Sequence, residues 1–179
     1  GAANSVRELI KERVIYERER ATGLSRSAYL MSKVFVLGFI TVLQGLMVGL
    51  IGFASRTIPK EGLIFTNLPL LELCLPIMAL GFTSMMFGLI ISALVKTSEK
   101  TMPLLVMFAI VQVVFTGCRF ALNGAIGVNQ FSYLMPSRWA VAAAGATLDF
   151  NRISPPGKGK PNDPLWQHTV GAWSLDMIA

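Results

Sequence analysis

Residues 34–54 read VFVLGFITVLQGLMVGLIGFA, without a single charged side chain. The hydrocarbon core of a bilayer is about 30 Å thick, and a helix needs about 20 predominantly apolar residues to cross it. The run meets that length, and it is too long and too even to be an ordinary core helix. Downstream, residues 73–95, LCLPIMALGFTSMMFGLIISALV, are equally free of charge. Pro76 is expected in the first turn of that run, where a missing N–H is tolerated. Residues 102–118, MPLLVMFAIVQVVFTGC, form a shorter third run, with Pro103 again expected in a first turn.

Composition points the same way. Of the 179 residues, 53% are apolar and only 15% charged, against about 25% in soluble domains, and the mean hydropathy is +0.58. The fold class is therefore all-α, a polytopic membrane helical bundle with three spans. A net charge of +6 does not imply nucleic acid, because the basic residues collect beside the apolar runs, as the positive-inside rule expects. The partners implied are membrane lipids and something cytoplasmic.

That rule also orients the chain. Seven Lys or Arg residues lie between Arg7 and Lys33, and Lys96 and Lys100 crowd the short link between the second and third runs. Residues 1–33 and the turn 96–101 are expected in the cytoplasm, and the loop 55–72 and residues 119–179 outside. The five basic residues of that last segment are spread over some sixty positions and weigh little. An odd number of spans leaves the two ends on opposite sides. No signal peptide is visible at the charged N-terminal stretch. The chain is thus read as a piece of a longer protein, with GAANS the end of a preceding span and a further span expected after Ala179.

The charged opening asks for an explanation. In RELIKERVIYERER, residues 7–20, nine of fourteen side chains are charged. Val6, Leu9, Ile10 and Val14 recur at helical spacing, and Glu8/Lys11, Arg13/Glu17 and Glu17/Arg20 can pair at i+3 or i+4. Thr22, Gly23 and Ser25 can end this helix and start the next. One reading is an interfacial helix that binds headgroups. Four acids among five bases fit a protein partner better, since a lipid-binding patch is nearly all basic.

Within the spans, Gly45 and Gly49 make a GxxxG pair, and Ser84, Gly88 and Ser92 a stripe of small residues; both predict close helix packing, inside one subunit in the first instance. Glu72, at the outer end of the second run, is placed where it can reach the headgroups, with a functional acid as the alternative. Phe108, Gln112 and Phe115 share a helix face, with Val111 beside it; Gln112 is either an interhelical packing contact or a polar group facing a path through the bundle. Arg138 and Trp139, followed by AVAAAGA, predict a short helix in the outer interface. SPPGKGKPNDP, residues 154–164, reads as a linker, and its GKGK lacks the spacing of a phosphate loop. His168 has no second ligand to build a metal site with. Cys74 and Cys118 read as packing residues before a bridge. No catalytic residues are found.

Three patches together carry a family resemblance. RELIKERVIYERERATGLSRSAYLMSK resembles the intracellular loop of type-2 ABC transporter permeases, the group that includes the ABCG exporters, through Glu12-Arg13, Tyr16, Arg18-Glu19, Gly23, Tyr29 and Lys33. GLIISALVKTSEKTMPLLVM is similar to the link between that family's fourth and fifth spans, and YLMPSRWAVAAAGATLD to the Pro-x-Arg-Trp segment of its external loop. The likeness is closest to the permease half of actinobacterial exporters with forkhead-associated and ATP-binding domains. Leu24 and Ser25 depart from it, where many members carry a tyrosine.

The resemblance implies a six-span domain of which 34–54, 73–95 and 102–118 are the third to fifth. It implies a homodimer, and a coupling helix, about 7–20, that docks on an ABC ATP-binding domain in the same or a partner chain. Glu12, Arg13, Tyr16, Glu17, Arg18, Glu19 and Gly23 would make that coupling. Phe108, Val111, Gln112 and Phe115 would line the substrate path, and Arg138 and Trp139 would belong to the external loop that caps the exit. ATP and Mg would sit in the associated domain and not in this chain. The function implied is the permease part of an ATP-driven exporter in the plasma membrane, moving a lipophilic or envelope-type substrate. The competing reading is a membrane scaffold or signalling anchor whose charged helix recruits a cytoplasmic partner without transport.

Overall fold

The computed structural model describes residues 2–3, 5–6, 23, 25–54, 62–65, 68–95, 98–116, 126–149 and 164–178. They form α1 (Arg26–Ala54), α2 (Pro69–Leu94), α3 (Ser98–Val114), α4 (Ile126–Ser132), α5 (Pro136–Thr147), a 3-10 turn (Pro164–Trp166) and α6 (Val170–Ile178). Among the described residues there is no strand. The all-α expectation holds. The charged stretch 7–20 and most of the linker 154–164 lie outside the described residues.

The helices start earlier than the apolar runs. Ser25 caps α1, its Oγ accepting from the Ala28 N–H at 3.3 Å. Just before it, Gly23 has φ +105°, a conformation side chains resist. In α2 the first helical residue is Pro69, whose fixed φ suits that position. Pro76 is consequently an interior residue, not a first-turn one, and withholds an N–H from the carbonyl of Glu72. Pro103 likewise lies inside α3, which begins at Ser98.

At about 1.5 Å per residue, the 29 residues of α1 span about 44 Å and the 26 of α2 about 39 Å. Both are long and apolar enough to cross a bilayer. They are no soluble core: Phe35, Phe39 and Ile51 are 70%, 72% and 73% exposed. The apolar helix Thr101–Val114 is shorter, and Phe115 and Thr116 turn away from it before Cys118 is reached.

The chain divides into two compact units, residues 1–44 with 81–109 and residues 45–80 with 110–179. In the first, Leu37, Met85 and Leu89 form a core with Val34 against it. The small-residue stripe packs on the start of the chain: Ser92 Oγ donates to the Val6 carbonyl at 3.3 Å. A Cβ at Gly88 would lie 2.7 Å from the Ala2 carbonyl oxygen, so only glycine admits that approach.

In the second unit, α1 meets α2 through the GxxxG pair. A Cβ at Gly45 would stand 3.0 Å from Met78 Cα, and one at Gly49 2.6 Å from the sulfur of buried, unbridged Cys74. The pair thus serves packing within one chain. Around α5, buried Ala143 and Ala146 receive Trp173 of α6, with Leu63, Leu75 and Met177 completing the cluster. The run of small residues lets these larger side chains close on the α5 backbone.

Candidate functional site

The four residues read as a substrate path are distributed along α3 and its terminal turn. Phe108, in the first unit, is half-buried, its ring centroid 5.0 Å from that of Phe87 at an interplanar angle of 40°. The other three belong to the second unit. Val111 is half-buried and its carbonyl accepts from the Phe115 N–H at 3.1 Å. Phe115 meets Phe131 of α4 edge-on, centroids 5.4 Å apart. Gln112 is only 8% exposed; its carbonyl accepts from Ser137 Oγ at 2.9 Å. The Gln112 amide nitrogen is buried and has no hydrogen-bond partner among the described residues. A buried donor left unmade costs about 1–3 kcal/mol, so this amide is poised for an acceptor from elsewhere.

Arg138 and Trp139 do not stand free in a loop; they organise it. Arg138 is 2% exposed. Its Nη1 donates to Asn129 Oδ1 at 2.9 Å and to Ser132 Oγ, both on α4. Its guanidinium lies 4.5 Å from the centre of the Tyr133 ring, a cation–π distance. Trp139 also holds this tyrosine: its Nε1 donates to the Tyr133 carbonyl at 2.7 Å, and the ring centroids are 5.6 Å apart. The planar guanidinium lies against a ring while one of its nitrogens reaches two acceptors, a geometry that the compact ammonium of lysine does not reproduce. Two adjacent side chains thereby tie the start of α5 to α4 and the turn after it. Trp139 also borders a cleft of about 380 Å³, facing Leu165, Gln167, Thr169 and Leu175.

Glu72 departs from expectation most clearly. It does not reach for headgroups but is wholly buried in the first turn of α2. Its carboxylate accepts from the backbone N–H groups of Leu63, Ile64 and Phe65 at 3.3, 3.1 and 3.3 Å, and from Thr147 Oγ1 at 2.8 Å. Sequence spacing gives no warning of a partner 75 positions away. Asn129, Ser132, Tyr133 and Ser137 were equally illegible as partners. His168 is exposed, with Nδ1 2.7 Å from the Ala146 carbonyl oxygen. Of the coupling residues only Gly23 is described; Glu12, Arg13, Tyr16, Glu17, Arg18 and Glu19 lie outside the described residues. Among the described residues no group of His, Cys, Asp and Glu is placed to hold a metal ion.

Long apolar helices with exposed flanks suit membrane spans, and the comparison with protein families names the kind of domain. The family described as ABC-2 type transporter matches residues 2–148, and the chain belongs to that family. It is a membrane protein and the permease part of an ABC-type transporter. Among curated proteins it is similar to an ABC transporter ATP-binding/permease protein of Mycobacterium tuberculosis (strain ATCC 25618 / H37Rv), 39% identical over 177 residues. The match covers 99% of this chain and 20% of that relative, so the chain spans about a fifth of the relative's length. No solved structure matches the chain significantly.

Proposed function

We propose that this chain is the membrane part of an ATP-driven exporter of the plasma membrane. In this reading it moves a lipophilic or envelope-type substrate outward and works as a homodimer. The observation that carries the reading is the 39% identity, over nearly the whole chain, to a protein named for both an ATP-binding and a permease part. The family match from residue 2 onward takes in the charged stretch 7–20. An ABC ATP-binding domain, in the same polypeptide or a partner, would hold ATP and Mg and hydrolyse the nucleotide.

The charged stretch is the transmission element in this mechanism. A short helix with both signs of charge docks on a partner surface by complementary pairs and follows it as a rigid body. Glu12, Arg13, Tyr16, Glu17, Arg18 and Glu19 make the contact, and Gly23 allows the chain to turn sharply into α1. Movement of the ATP-binding domain is then delivered to the first turn of that span. Phe108, Val111, Gln112 and Phe115 border the path, where the amide of Gln112, without a partner among the described residues, supplies one directional contact in apolar surroundings. Arg138 and Trp139 hold the external helices beside its exit.

The test is ATP turnover by the full-length protein in lipid nanodiscs, wild type against Glu12→Ala/Arg13→Ala/Glu19→Ala, with ATP affinity and folding measured in both. The reading expects normal ATP binding and loss of lipid-stimulated turnover in the variant. Unchanged stimulation removes the coupling role from residues 7–20.

A further inference from the structure

Glu72 ties three segments of the second unit together, and the transport reading leaves it without a role. Its Oε2 receives the N–H groups of Ile64 and Phe65, while Oε1 receives those of Leu63 and the Thr147 hydroxyl. The loop can close this tightly because residue 62 is glycine. A Cβ there would lie 2.6 Å from Glu72 Oε2 and 2.7 Å from the Phe65 carbonyl oxygen. All four partners are donors, so both carboxylate oxygens are acceptors, as a buried carboxylate requires. The three amides come from the loop directly before α2, whereas Thr147 ends α5.

The Thr147 link differs from the other three. The same hydroxyl lies 3.3 Å from the carbonyl of Ala143, one turn back on its own helix. It can therefore exchange the carboxylate for that carbonyl without stranding a donor, and Glu72 keeps its three amides when it does. The apolar cluster of Leu63 and Leu75 on Ala143, Ala146 and Trp173 has no directional preference. It holds the elements adjacent, and the Glu72–Thr147 hydrogen bond adds a directional, exchangeable contact between α2 and α5.

We propose that Glu72 is a positioning residue that couples α2 to α5 through a switchable link. The Thr147 hydroxyl is bonded to Glu72 when α5 moves with α2, and to the Ala143 carbonyl when α5 is let go. The inference rests on the ATP-driven reading above, in which nucleotide moves the spans.

The experiment is hydrogen–deuterium exchange on the full-length protein in lipid nanodiscs, nucleotide-free and after trapping with ATP and vanadate. It follows the segments 62–65 and 143–148 in wild type, Thr147→Val and Thr147→Ser, and measures retained nucleotide in the same samples. In wild type, trapping should speed exchange in 143–148 by up to about tenfold, because a hydrogen bond to a carboxylate gives way to a weaker one to a carbonyl, while 62–65 stays protected. Thr147→Val should exchange fast in 143–148 in both states, and Thr147→Ser should follow wild type. Two results overturn the switch: no response of 143–148 in wild type that has trapped nucleotide, or Thr147→Val indistinguishable from Thr147→Ser. If wild type retains no nucleotide, the ATP-driven reading itself fails and takes the switch with it.

Discussion

Gly49→Ala sets two effects against each other, and the structure says which wins. Helix propensity alone favours alanine over glycine by about 1 kcal/mol, so a helix exposed on all sides would gain. Here the new methyl would lie 2.6 Å from Cys74 Sγ, 3.4 Å from its Cβ and 3.5 Å from its Cα. Relaxed contacts between such atoms are about 3.5–4.0 Å, so the sulfur must move by about 1 Å while the other two atoms are already tolerable. Overpacking of this kind costs about 1–3 kcal/mol. After the propensity gain, the expected loss is about 0–2 kcal/mol.

The clash comes from one atom, so it can be removed. Cys74→Ala deletes that sulfur, and the methyl of Gly49→Ala enters the vacated space. The double variant should then be restored nearly to the Cys74→Ala level, with a favourable coupling of about 1–3 kcal/mol. Gly45 is a control: its nearest neighbour is the Met78 Cα at 3.0 Å, backbone that no side-chain truncation removes. The assay is thermal unfolding of the full-length protein in nanodiscs, followed by tryptophan fluorescence. Gly49→Ala should unfold lowest and the double variant close to Cys74→Ala. A Gly49→Ala protein more stable than wild type, or a double variant no better than Gly49→Ala, refutes the packing described for α1 and α2.

Two further substitutions probe the site's supports. Gly23→Ala meets no atom within 4 Å but must adopt φ +105°, a backbone penalty of about 1–2 kcal/mol; amide exchange in the first turn of α1 should rise, and an unchanged rate would show that the turn does not need glycine. Arg138→Lys keeps the charge but loses the planar guanidinium that lies against Tyr133 while its Nη1 holds Asn129 and Ser132. It should cost about 1–3 kcal/mol, read as a lower unfolding temperature and faster exchange in α4, and wild-type behaviour would mean that charge alone suffices.

The legible parts of this protein were those in which a residue's environment is set by the bilayer or by its near neighbours. Absence of charge over residues 34–54 and 73–95 announced two long helices, because no other local feature can compensate a buried charge in lipid. Ser25 was legible as a cap and 136–147 as a short helix, since both depend on residues one turn away. Pro76 was misplaced because the run was started after Glu72, as though a carboxylate must end a span. The helix in fact begins at Pro69 and carries that carboxylate inward.

Sequence by itself determined the all-helical membrane class and, through three separated patches, the transporter family. Periodicity and charge suffice for the first because they act along the chain. Only the tertiary structure decided where the polar groups go: Glu72 to Thr147, Ser137 to the Gln112 carbonyl, and Arg138 back to Asn129 and Ser132. A hydrogen bond across tens of residues depends on how helices meet, and shape-complementary small residues such as Gly45 and Gly49 settle that contact without any local signal of the partner they admit.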